Sequence, residues 1–435
     1  MGFVSFENIT QLRSNRLYGD ILKATVGRFG AAALTFVKTI LLVRLLAPEM
    51  YGHVAVMFSW GYIISSLFEV GAGSGFIALE SKGDVKNQTD RFWSFMRFRL
   101  GLSLMALSLG LIGYFFFPPS AFGKFYAALL MGLGLNVCHS PEFYYQAQKR
   151  FTKFAGYSIW VAMLILFWTA WSLWLFKNGF VGQVSFWLCL GLSTWFAALV
   201  AFIGIHSVNQ VFAFNAFRAD AQYFGEILRF GKWIALTGIV NYWHMRYGVI
   251  LLGGAGRSAD AAAFDVAFNL AMVINLLAQS AVYALSPRFA SLTDWSVARK
   301  GFIRVFKWGS PLVMALLILY YLIGAEVVVA IFGDNYRASV VPLNALMPSF
   351  LILMLSEPIV AFMVYGVKKP SLAFWVALGR TIFYILFGYW GLQRWGIWGL
   401  ALLYSISRIA EHALLVLLSF RFIKAHRLNS FGVES

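Results

Sequence analysis

Residues 21–79 read ILKATVGRFGAAALTFVKTILLVRLLAPEMYGHVAVMFSWGYIISSLFEVGAGSGFIAL. Two apolar stretches, 21–46 and 51–79, are joined by the short link 47–50, and the chain beyond them carries Lys82, Lys86, Arg91, Arg97 and Arg99. The hydrocarbon core of a bilayer is about 30 Å thick, so a spanning helix needs about 20 mostly apolar residues. Each stretch meets that requirement, and the link is long enough only to turn the chain back. The basic run then marks the side to which the chain has returned, because short cytoplasmic loops retain Lys and Arg.

The same reading extends along the whole chain. Further spans are expected at 92–117, 122–146, 154–176, 180–205, 224–252, 261–285, 303–332, 340–365, 371–392 and 397–422. With twelve spans and the N-terminus inside, 25 of the 35 Lys and Arg fall in inward loops or the span ends beside them. Five lie in outward loops (Lys124, Lys177, Arg257, Arg337, Arg394) and five within spans (Lys38, Arg44, Arg246, Arg380, Arg408). A wrong number of spans would scramble this alternation. The expected class is therefore an all-α polytopic membrane protein with both termini cytoplasmic.

Composition agrees. The chain is 60% hydrophobic with a mean hydropathy of +0.73, outside the range of soluble domains. The net charge of +17 reflects the positive-inside bias; its natural partner is the anionic inner leaflet, not nucleic acid. The two cysteines, Cys138 and Cys189, both fall in expected spans, which leaves no disulfide framework or cysteine metal site. The histidines show no metal spacing and no nucleophile partnership, and no glycine loop is suited to cradle phosphate. No cofactor is expected. The first apolar stretch is too long for a cleavable signal and lacks a small-residue cleavage pattern, so it is expected to stay as an anchor.

The longest polar interruption, 206–223, divides the spans six and six. It is read as a linker between two six-helix bundles, 1–205 and 224–435. An internal repeat supports the division. Arg28-Phe29-Gly30 followed by Leu34-Thr35 recurs as Arg229-Phe230-Gly231 followed by Leu236-Thr237, and Ile-Leu-Leu closes both copies at 40–42 and 250–252. Both copies enter from the same side, which defines a parallel repeat about an axis along the membrane normal. Rocking of one bundle against the other is the usual route to alternating access. Pro141 and Pro311 can kink spans four and nine.

A Lys or Arg at a span centre costs roughly 2.5–3.5 kcal/mol on insertion scales. Lys38, Arg380 and Arg408 lie near the middle of their spans, and Arg246 nearer an outer end. Arg408, Glu411 and His412 stand at i, i+3 and i+4 and can satisfy one another, so pairing and ligand contact both remain open for Arg408. Lys38 and Arg380 have no acid at such spacing and need another helix, water or an anionic ligand. The favoured reading is a water-filled cationic cavity, with Arg28 and Arg229 at its cytoplasmic mouth. Glu69, Asp265 and Glu357 are span carboxylates without an obvious base on their own helix, and are candidates for proton coupling.

Several segments carry a family resemblance. RLLAPEMYGHVAV at 44–56 is similar to an R-L-L-x-P-E-x-Y/F-G pattern after the first helix of Wzx-type polysaccharide flippases, which transport O-antigen and exopolysaccharide units within the MOP superfamily. GAGSGFIALE at 71–80, QAQKRFTKFA at 146–155, FGEILRFGKW at 224–233, AFDVAFNLA at 263–271, ALSPRFASL at 284–292 and IFGDNYRASVVPLNAL at 331–346 resemble further landmarks in order. The resemblance implies a MOP/MATE-like fold of two six-helix lobes. It also implies transfer of an undecaprenyl-diphosphate-linked oligosaccharide from the cytoplasmic to the periplasmic leaflet of the bacterial inner membrane. The expected partners are that lipid-linked oligosaccharide, membrane lipids, and a polysaccharide polymerase with its chain-length regulator. Two family features do not carry over. The acid often found late in helix seven is replaced here by Arg246-Tyr247-Gly248, and the helix-one acid of the antiporter branch has no counterpart beyond Asp20.

A multidrug or small-solute exporter of the same fold is the alternative, disfavoured by a cationic membrane interior. A membrane glycan polymerase or ligase would need a large outward loop, and none is expected. The protein is therefore read as a transporter and not an enzyme. Cysteine labelling tests the orientation: Lys177→Cys should react with an impermeant reagent from the periplasm and Lys86→Cys should be protected, and the reverse pattern would invert the topology.

Overall fold

The structure, a computed structural model, describes residues 15–69, 71–80, 85–205, 221–290, 295–367 and 369–431. Among them are helices and turns but no strand. In chain order the helices are α1 (Asn15–Leu45), α2 (Pro48–Glu69), α3 (Ala72–Glu80), α4 (Val85–Leu111), α5 (Pro119–Cys138), α6 (Ser140–Ala147), α7 (Phe151–Lys177) and α8 (Gln183–Ile205). After the linker, most of which lies outside the described residues, come α9 (Ala221–Gly254), α10 (Ser258–Ala290), α11 (Trp295–Phe332), α12 (Val340–Tyr365) and α13 (Pro370–Phe431).

All twelve expected spans have a helical counterpart. Span two is shared by α2 and α3, and span four by α5 and α6. The last two spans are the arms of α13, which is broken at Gly396 with φ 63°. Among the described residues, nine segments are by themselves long and apolar enough to cross a membrane. One of these, Pro370–Lys424, contains both arms of α13, and α2 and α9 fall outside the set. The outer surface carries large exposed apolar side chains such as Phe115, Trp308, Leu322 and Leu386, as a lipid-facing surface should.

The chain forms two compact units. The first contains residues up to Lys38 together with Gly71–Gly231. Its core is aromatic, built around Phe76, Phe92, Phe95, Tyr144, Phe154 and Tyr157. Helices approach closely where glycine removes the side chain: a Cβ at Gly27 would sit 2.4 Å from Ala155 Cα, and one at Gly191 2.6 Å from the Ala127 carbonyl oxygen. Lipid is as apolar as leucine, so helix association there depends on such close packing and on hydrogen bonds. Trp195 Nε1 donates to the Leu130 carbonyl at 2.8 Å and Trp168 Nε1 to that of Cys189 at 2.7 Å.

Span four breaks at Pro141, which has no N–H to give its helix. α5 ends at Cys138 and α6 starts at Ser140. Neighbouring side chains bind the carbonyls at the break: Tyr157 donates to Cys138 at 2.6 Å, and Arg99 to Asn136 at 2.9 Å. Pro311, by contrast, lies inside the continuous helix α11.

The second unit contains Thr39–Val70 and Lys232–Ser435. Arg44 reaches the end of α11, where its Nε donates to the Ile331 carbonyl at 2.7 Å and its Nη2 to that of Ala330. A guanidinium there satisfies carbonyls that the helix end leaves open. α2 lies against the start of α10, since a Cβ at Gly52 would come within 1.8 Å of the Ser258 carbonyl oxygen. Backbone must move to admit any side chain at that point. Gly52→Ala should therefore cost about 1–3 kcal/mol and lower the thermal midpoint in detergent, whereas Gly254→Ala, with open space around it, should change it little.

Candidate functional site

The second unit buries a cluster of charged and polar side chains drawn from four segments. Arg380 comes from the first arm of α13, Arg408, Glu411 and His412 from the second, Glu357 and Ser356 from α12, and Asn241 from α9. Arg380 donates to Glu411 Oε2 through Nη1 and to Asn241 Oδ1 through Nη2, the latter at 2.7 Å. Arg408 lies 3.3 Å from the same Glu411 oxygen and 3.5 Å from Glu357 Oε1. His412 Nδ1 is 2.8 Å from Ser356 Oγ, while its Nε2 is 3.9 Å from both Glu357 and Glu411.

The positions follow from the helices. Residues 408, 411 and 412 share one face of the second arm, and the reversal at Gly396 returns that face towards Arg380. The two arms touch beside the turn, where a Cβ at Gly399 would lie 2.5 Å from the Gly391 carbonyl oxygen. Two arginines and two glutamates balance in charge, which is how a low-dielectric interior tolerates them. Arg380 and Glu411 also line a cavity of about 530 Å³ whose walls are mostly apolar, among them Trp375, Phe383, Ile406 and Leu414.

A second buried pair lies in the same unit. Asp265 accepts from Arg246 at 3.0 Å, Tyr51 at 2.6 Å and Asn269 at 2.8 Å. The Arg246 guanidinium covers the Tyr62 ring at 4.6 Å. Aromatic rings fill the unit between helices: Phe268 meets Tyr404 edge-on at 5.6 Å, and His244 lies 4.5 Å from Tyr404 and 5.0 Å from Tyr384. His244 is fully buried, and neither ring nitrogen has a hydrogen-bond partner among the described residues.

The sequence-derived candidates are distributed as follows. Arg380, Arg408 and Glu357 meet in one cluster, and Arg246 pairs with Asp265. Glu69 is half-buried at the end of α2. Lys38 and Arg28 belong to the first unit, where Lys38 is buried and Arg28 stands 5.6 Å over the Phe154 ring. Arg229 lies in α9, and its side chain is outside the described residues. Asn241, Ser356, Tyr51 and Asn269 were not singled out from sequence. Only Asn269 left a signal, its i+4 spacing from Asp265. Among the described residues no three His, Cys, Asp or Glu side chains are placed to hold a metal ion.

Residues 41–341 match the model of a family described as polysaccharide biosynthesis protein. The chain belongs to that family. No curated protein matches its sequence. Solved structures that share its fold include an inward-facing multidrug resistance MATE transporter of the MOP superfamily, at 15% identity, covering 94% of this chain and 99% of that one, with a TM-score of 0.69. The lipid II flippase MurJ in an inward closed conformation is similar at 14% identity, over 94% and 90% of the two chains, with a TM-score of 0.62. The Vibrio cholerae MATE transporter VcmN is similar at 13% identity, over 94% and 97%, with a TM-score of 0.60. The fold is thus that of the MOP superfamily, as the sequence motifs implied, and the protein is a multi-pass membrane protein.

Glu411 is the shared acceptor of both arginines. Glu411→Ala should leave Arg380 without an anionic partner and Arg408 with Glu357 alone, and cost about 3–5 kcal/mol, read as a lower thermal midpoint. The double variant Arg380→Met with Glu411→Leu should recover much of that loss, because an apolar pair replaces the charged one.

Proposed function

We propose that the protein is a flippase that moves an undecaprenyl-diphosphate-linked oligosaccharide from the cytoplasmic to the periplasmic leaflet of the bacterial inner membrane by alternating access, with both termini in the cytoplasm. Membership in a polysaccharide biosynthesis family supports the glycan, and the transporter fold supports movement across the membrane. The observation that carries the reading to the site is the Arg380–Arg408 cluster beside a mostly apolar cavity. A diphosphate and its sugars cannot cross hydrocarbon unaided, while a polyprenyl tail can remain in lipid.

In this reading Glu411 holds the arginines in the unloaded protein. The diphosphate exchanges with Glu411 for the Arg380 and Arg408 forks, whose planar geometry suits phosphate oxygens. Arg246 supplies further positive charge within the same unit, and Lys38, Arg28 and Arg229 of the first unit are the other cationic candidates for substrate contact. A polymerase and a chain-length regulator would receive the exported unit. The likeness to MATE transporters favours a second reading, export of drugs or small solutes on the same fold.

The test is a deletion strain complemented with variants. Loss of the gene should leave lipid-linked glycan in the cytoplasmic leaflet. Arg380→Gln should fail to restore export although the protein is inserted and abundant, and Arg380→Lys should restore it only in part, because an ammonium cannot reproduce a bidentate contact. Full export by an abundant Arg380→Gln variant would remove this residue from the substrate path. Normal glycan distribution in the deletion strain, with altered drug resistance, would favour the second reading.

A further inference from the structure

The break in span four places a titratable pair where proton binding and helix bending meet. His139 is the last residue before α6, and Glu142 lies in the first turn of α6 beyond Pro141. Their side chains bridge the break, with His139 Nδ1 3.0 Å from Glu142 Oε1. Ser158 of α7 donates to the same oxygen at 2.9 Å.

An ionised Glu142 accepts only, so the ring nitrogen facing it carries the hydrogen, and in the neutral ring Nε2 is then the bare acceptor. Glu142 Oε2 makes no hydrogen bond within the described residues, and the Cys138 side chain is a second hydrogen-bonding neighbour of the His139 ring. The side chains are 42% and 17% exposed. The carboxylates in the second unit differ. Asp265 already receives three donors, and Glu357 faces Arg408, so a proton taken up there would break a buried ion pair.

The charged and titratable groups around the pair come from four elements. Arg28 of α1 acts electrostatically on Glu142. Tyr157 of α7 and Cys138 at the end of α5 are also neighbours, and Arg99 of α4 donates to Ser140 at 2.8 Å. Arg99 and Tyr157 hold the carbonyls of the break, which leaves the His139–Glu142 bond as the contact across it whose strength depends on protonation.

We infer that His139 and Glu142 form a proton-binding site that couples proton uptake to the bend between α5 and α6. A proton from water adds to the Nε2 lone pair, the imidazole becomes an imidazolium, and no covalent bond is broken. A hydrogen bond from a neutral donor to a carboxylate becomes a bond between two ions, which tightens the bridge across Pro141. Release of the proton from Nε2 to water reverses the change. The transport consequence rests on the flippase reading above; the proton site itself does not.

Two measurements separate these claims. In proteoliposomes loaded with lipid-linked glycan, a pH difference of one unit is worth a factor of about ten in the leaflet ratio for one proton per cycle. Wild type should show a shift of that order, and His139→Gln and Glu142→Gln should show none while remaining folded. Folded variants that keep the full shift overturn the coupling role. If wild type moves no glycan at all, the flippase reading fails and the proton site is judged by nitrogen NMR of the purified protein. The His139 ring resonance, identified by its loss in His139→Gln, should titrate at a different pH once Glu142 is replaced by Gln. An unchanged titration overturns the site.

Discussion

Hydrocarbon offers no hydrogen bonds, and that constraint organises the structure. A buried backbone N–H or C=O must find its partner inside the protein, so each segment that crosses becomes a helix. Where a helix stops within the membrane, its freed carbonyls need side chains. Arg99 and Tyr157 do this at the break in span four. These residues are conspicuous in an apolar chain because each replaces water that the bilayer cannot supply.

The same constraint explains the ionised residues. One unpaired arginine at membrane depth is costly, yet a balanced set is tolerated when every fork and carboxylate has a partner. Glu411 accepts from two arginines, and Glu357 faces one of them with His412 beside it. Such an arrangement contributes little net stability over an apolar core of equal volume. In the proposed function its value lies in what can exchange with it: an anion that replaces Glu411 would find two forks already positioned. The His139–Glu142 pair differs in that an imidazole, not a guanidinium, faces the carboxylate, which is why we assign it the proton-binding role.

Much of the architecture was legible because lipid thickness and charge retention leave a one-dimensional record. Span length appears directly as runs of apolar residues, and the alternation of Lys and Arg fits the same number of spans. The break at Pro141 was legible for a local reason, a missing N–H. Pro311, read by the same logic, lies inside α11 without ending it. The fork of Arg408 towards Glu411 was visible as i, i+3 spacing. The pairings of Arg380 with Glu411 and of Arg246 with Asp265 were not, because their separation in sequence carries no information about which helices become neighbours.

The chain by itself therefore determined the number of membrane crossings, their helical character and the presence of costly charges at depth. Each follows from properties of single segments in contact with lipid. Tertiary structure alone decided the partners. Residues 39–70 join the C-terminal helices because Arg44 meets the end of α11, Gly52 admits the Ser258 carbonyl, and Tyr51 donates to Asp265. Helix packing in lipid turns on close fit and on a few polar contacts, and those depend on the three-dimensional shape of both surfaces together, which no single segment contains.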